Sequence, residues 1–107
     1  MEIKDFADAM AKAIALNNER AKVIEDFRSK VDLAKKADRL IGIRNQYTSI
    51  ANWLLLEECN KGYHTIEDKQ LGKLCIDGIK ACDNELGNAC SNYMIDKMLS
   101  KRLSYQS

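Results

Sequence analysis

The chain has 107 residues, 46% of them hydrophobic and 31% charged, and its 17 basic and 16 acidic side chains leave a net charge of +1. That much apolar material in a chain of single-core length excludes an intrinsically disordered polypeptide. The near-neutral balance excludes a general polyanion binder, whose domain would be strongly basic. Proline is absent and glycine occurs five times, so no residue forbids a helix and long helices are permitted.

Residues 2–40 read as one long helix. Ile3, Phe6, Met10, Ala13, Ile24, Phe27, Val31, Ala34 and Ile41 recur at steps of three and four, the spacing of a helical seam. Asn17 and Arg20 stand where that register calls for apolar side chains. Buried polar residues at such positions cost stability and fix register and partner number. Asn17-Asn18 before Glu19 also offers a break, because Asn caps helices well. Lys35, Lys36, Arg39 and Arg44 gather towards the end of this segment, where cations favour a helix C-terminus. They are the candidate contacts for an anion or a nucleic acid, although a solvated face is the plainer reading. Gly42 is the first residue to suggest a turn.

A short central helix is expected over 43–60. Ile43, Tyr47, Ile50 and Leu54 form its stripe, and Trp53-Leu54-Leu55-Leu56 puts large apolar surface on every side of it. Such a segment calls for enclosure. Asn60-Lys61-Gly62 followed by Tyr63 marks a left-handed glycine cap, and Thr65 with Asp68 makes a variant of the capping box that opens the next helix.

The last helix is expected over 65–103, with Leu71, Cys75, Ile79, Cys82, Leu86, Ala89 and Tyr93 along one stripe. Gly72, Gly78 and Gly87 each weaken it by about 1 kcal/mol relative to Ala, so their recurrence points to close approach by another helix. Asp83-Asn84 offers a second break. Lys97, Lys101 and Arg102 end the basic residues.

The four cysteines, Cys59, Cys75, Cys82 and Cys90, contain no C-x-x-C pair, and His64 is the lone histidine. Core packing in a reducing compartment is their expected role. No phosphate loop, H-E-x-x-H or G-x-S-x-G is present, and the pairs Glu57-Glu58 and Glu67-Asp68 point about 100° apart on a helix. No catalytic residue, metal site or cofactor is therefore expected. The longest apolar run is far short of the ~20 residues that span a bilayer, and a cytoplasmic location is expected.

The fold expected is all-α: one domain over 1–107, an elongated bundle with coiled-coil-like packing. A rod of 39 residues spans about 58 Å and one of 18 residues about 27 Å, so the central helix would leave the long ones partly uncovered. Self-association, as a homodimer or higher oligomer, would cover the remainder. The leading functional expectation is a non-catalytic protein–protein interaction module such as an inhibitor, adaptor, immunity factor or chaperone. Phe6, Met10, Asn17, Arg20, Phe27 and Trp53 are its candidate interface. Two alternatives are a nucleic-acid-associated regulator using the cluster at 35–44 and a small-molecule or nucleotide sponge with pockets lined by Asn17, Arg20, Tyr93 and Tyr47.

Overall fold

The computed structural model describes the backbone of residues 2–26 and 33–105, and the side chains of 2–25 and 35–87. Among the described residues the protein is all-helical: α1 covers Phe6–Asp26, α2 covers Leu33–Lys61 and α3 covers Ile66–Tyr105. The expected rod over 2–40 is thus two helices, with α1 ending by Asp26 and α2 already under way at Leu33. Apolar spacing runs through both with the same period, so periodicity could not register the interruption. The physical gain from dividing the rod is that α1 folds onto α2 and buries its own stripe there. Phe27 lies outside the described residues.

Each end is defined locally. Asp5 caps α1: its Oδ1 accepts the Asp8 N–H at 2.8 Å, and Asp8 Oδ2 in turn accepts the Lys4 N–H at 3.0 Å. Asp8 also pairs with Lys12 at 2.7 Å, and that ammonium, ahead of the Lys4 N–H, holds its carboxyl below the ordinary value. α2 stops where expected. Gly62 has φ +78° and its N–H donates to the Glu58 carbonyl at 2.9 Å, an αL cap that an L side chain would strain. At the start of α3 the capping box is reciprocal: the Asp68 N–H donates to Thr65 Oγ1 at 3.1 Å and the Thr65 N–H donates to Asp68 Oδ2 at 2.9 Å.

Neither possible break occurs. Asn17-Asn18 lies inside α1 and Asp83-Asn84 inside α3. In each place a polar side chain that could have left the helix is held by α2 instead: Asn17 accepts the Tyr47 hydroxyl, and Asp83 takes Arg44 at 2.5 Å. Gly42 likewise sits within α2, which at 29 residues is not short.

The core is one face from each helix. Ala9, Ala13, Leu16 and Val23 come from α1, Leu40, Ile43, Tyr47, Ile50 and Leu54 from α2, and Leu71, Cys75 and Cys82 from α3. On α1 the centre of the buried face is turned by one residue from the expected stripe, leaving Phe6 and Met10 half-buried at its edge. Small Ala9 and Ala13 at the centre let the neighbouring helices come close. Against expectation, Trp53–Leu56 is not enclosed: Leu54 is buried and Trp53 half-buried, but Leu55 and Leu56 are 63% and 65% exposed. The helices packed on α2 meet only one side of it.

α2 and α3 run antiparallel. Leu54 faces Gly72, Tyr47 faces Gly78 and Arg44 faces Asp83, so the position on α3 rises as that on α2 falls. The glycines differ in what they do. A Cβ at Gly78 would lie 2.6 Å from Cε1 and Cε2 of the Tyr47 ring, whereas one at Gly42 or Gly87 would meet nothing within 4 Å. Gly78→Ala is expected to destabilise the protein by about 1–3 kcal/mol through overpacking. Gly42→Ala and Gly87→Ala should each stabilise it by up to ~1 kcal/mol through helix propensity. Urea unfolding of the three variants checks the contrast.

Candidate interaction surface

The predicted site residues separate into two groups in space. Asn17, at the middle of α1, accepts a hydrogen bond from Tyr47, whose side chain is fully buried, and Arg20 stands near enough to Tyr47 and Cys82 to act on both electrostatically. Burial pushes the Tyr47 hydroxyl up and the Arg20 charge partly opposes it. Asn17 and Tyr47 are thus joined across α1 and α2, while Arg20, also half-buried, lies close by. Phe6, Met10 and Trp53 pack against the core from its edge. Trp53 and Phe6 line a small cavity of about 210 Å³ together with Lys4, Glu57, Lys61 and Asp68. Tyr93, like Lys97, Lys101 and Arg102, lies beyond the described side chains.

The basic cluster is drawn into the fold. Lys36 pairs with Glu85 at 3.3 Å and Arg44 with Asp83 at 2.5 Å, both across α2 and α3. Neither Lys35 nor Arg39 is free. Cations that looked like an anion patch thus match the acidic residues of the opposite helix. Arg44 and Asp83 are both more than a third exposed, so water and salt weaken their attraction. Lys36→Ala and Arg44→Ala are each expected to lower stability by less than about 1 kcal/mol, with the loss shrinking in ~1 M salt. Thermal unfolding at low and high ionic strength measures it.

The core cysteines hold no reactive thiolate. Burial raises the Cys75 thiol to about 11 and raises Cys82 as well, so both remain protonated and unreactive near neutral pH. Cys59 is exposed, contrary to the expectation that all four pack in the core, and the Cys90 side chain lies outside the described residues. Among the described residues no group of His, Cys, Asp and Glu is arranged to hold a metal. Nor is any helix there long and apolar enough to cross a membrane.

What the fold does present is a groove. Ala51, Leu54 and Leu55 of α2 and Gly72 and Ile76 of α3 line a depression of about 540 Å³. Its apolar walls stand open: Leu55 is 63% and Ile76 51% exposed. Glu58, Lys69, Lys73, Asp77 and Lys80 rim it. Further exposed apolar side chains, Leu56, Tyr63 and Ile66, surround the nearby turn. Sequence reading missed the groove because Leu55 looks like a core flank of α2 and Ile76 falls outside the apolar stripe of α3. The sign available in the sequence was Trp53–Leu56 itself, which carries more apolar surface than a helix packed on one side can hide.

Asp68 anchors the end of the groove. It is buried, and Lys61 donates to it at 2.9 Å in addition to its Thr65 contacts. The Thr65 N–H first, and the Lys61 ammonium second, hold its carboxyl below the ordinary 3.8. A depressed folded-state value means that the carboxylate stabilises the fold above the unfolded-state value and that this contribution is lost as the pH falls through the folded one. The melting temperature should therefore drop as the pH is lowered below about 4, and less steeply in Asp68→Asn. Melting curves of both proteins from pH 6 to 2 provide the comparison.

No family model, curated protein or solved structure matches the chain.

Proposed function

We propose that this protein is a non-catalytic, cytoplasmic, helical protein–protein interaction module that works as a homo-oligomer, of the kind used by small inhibitors, adaptors, immunity factors and chaperones. The observation that carries the reading is the open apolar groove between α2 and α3, with Leu55 and Ile76 more than half exposed on its walls. Apolar area of that sort is stabilised when a second helical surface removes it from water, at roughly 25 cal/mol per Å². On this reading the bundle is elongated and packs in coiled-coil fashion. In support, Leu40, Ile43, Tyr47, Ile50 and Leu54 are buried at alternating steps of three and four. The protonated core thiols of Cys75 and Cys82 suit a reducing compartment.

The nucleic-acid reading has less support, because Lys36 and Arg44 already neutralise Glu85 and Asp83. The sponge reading has less still, since Tyr47 and Asn17 satisfy each other. Light scattering coupled to size exclusion tests the proposal. At high micromolar concentration the expected mass is a multiple of the 12.1 kDa chain, and a single species at the chain mass would refute self-association.

A further inference from the structure

We infer that the groove between α2 and α3 is covered by the same groove of a second copy, antiparallel and related by a two-fold axis at the level of Ala51 and Cys75. The inference rests on the oligomeric reading above and specifies which surface and which register produce it. The charges of the rim motivate it. A groove for an acidic or basic peptide would be rimmed by one sign, but here Glu58 and Asp77 stand among Lys69, Lys73 and Lys80. None of Glu58, Lys69, Lys73, Asp77 and Lys80 belongs to an ion pair among the described residues. A rim of both signs is complementary to itself when one copy is reversed over the other.

The register follows from the positions. The Leu54–Gly72 and Tyr47–Gly78 contacts set Ala51 level with Cys75. Lys73 and Asp77 lie two residues to either side of that level, each about 3 Å along the axis. A two-fold axis perpendicular to the helices there places Lys73 over Asp77 of the second copy, and Asp77 over its Lys73. Ile76 approaches its own equivalent near the axis. Gly72, where a side chain would otherwise stand between the helices, permits close approach. At the far end Glu58 comes within about 3 Å, measured along the helix axis, of the level of Lys80 of the second copy. Leu55 and Ile76 would then be enclosed and Trp53–Leu56 covered on a second side.

Charge reversal tests the register without touching the core, because both positions are exposed. Lys73→Glu sets acid against acid at both symmetric contacts, and Asp77→Lys sets base against base. Each variant alone is expected to dimerise roughly tenfold more weakly than the wild type, two attractive contacts having become two repulsive ones. A 1:1 mixture of the two variants is expected to recover the wild-type affinity. In the mixed dimer the introduced carboxylate of one chain meets the introduced ammonium of the other, and the unchanged Asp77 meets the unchanged Lys73. Effects within one helix cannot be repaired by mixing separate chains. Sedimentation equilibrium of the wild type, each variant and the mixture, with circular dichroism to confirm unchanged helicity, gives the answer. An oligomeric wild type whose affinity neither variant changes, or variants that mixing does not rescue, would overturn this interface and leave self-association standing. A wild type that remains at 12.1 kDa would overturn both.

Discussion

The side chain of Tyr47 links all three of the described helices. Its ring lies flat against the bare backbone of Gly78 on α3, and its hydroxyl donates to Asn17 on α1. A large aromatic ring buried at a helix crossing needs a residue without a side chain opposite it, and a buried hydroxyl needs an acceptor. The two requirements fix two neighbours at once. With α3 held at the distance of a ring and α1 held at the length of a hydrogen bond, the lateral positions of both helices on α2 follow. Among the described residues no buried side-chain polar atom is left without a partner, so this polar contact specifies the packing without an outstanding desolvation cost.

Around that point the helix ends and the charges set the direction and register. The Gly62 cap turns the chain within a few residues, and Thr65 and Asp68 restart it at once, so α3 must return along α2. Lys61 closes the turn by bonding Asp68 and lying over the Tyr63 ring, 5.3 Å from its centroid. Towards the other end of the pair, Lys36 and Arg44 meet Glu85 and Asp83. Residues 1–44 carry an excess of base and residues 45–96 an excess of acid, and part of that asymmetry is matched between α2 and α3. Individually such pairs contribute little to stability. Together they disfavour a slipped register, in which like charges would face each other.

One side of the α2–α3 pair is occupied by α1 and the other is not. The open groove is a consequence of that geometry: the described helices do not cover all the apolar residues that this chain places on α2. Leu55, Leu56 and Ile76 remain exposed, and their neighbours on the rim carry both signs of charge. The same fold engages Asn17 with Tyr47 and leaves Leu55 and Leu56, which looked like packing, in water.

Much of the local structure was readable from residues alone because it depends on neighbours within one turn. Helical class, the glycine stop at Gly62, the Thr65–Asp68 start and the stripe Ile43, Tyr47, Ile50, Leu54 are of this kind, as is the burial of Cys75 and Cys82. Spacing could not place the division between α1 and α2, since both stripes keep one period through it, nor could it tell Asn17 or Asp83 held by another helix from Asn17 or Asp83 ending its own. It could not rank the glycines either: Gly78 is required by a ring from α2, and Gly42 and Gly87 face nothing. The chain by itself determined which segments are helices and roughly which faces are apolar, because those follow from propensity and periodicity. Only the tertiary structure decided which apolar residues stay in water and which charges are already matched, because both depend on what stands opposite, and that is a property of two helices rather than one.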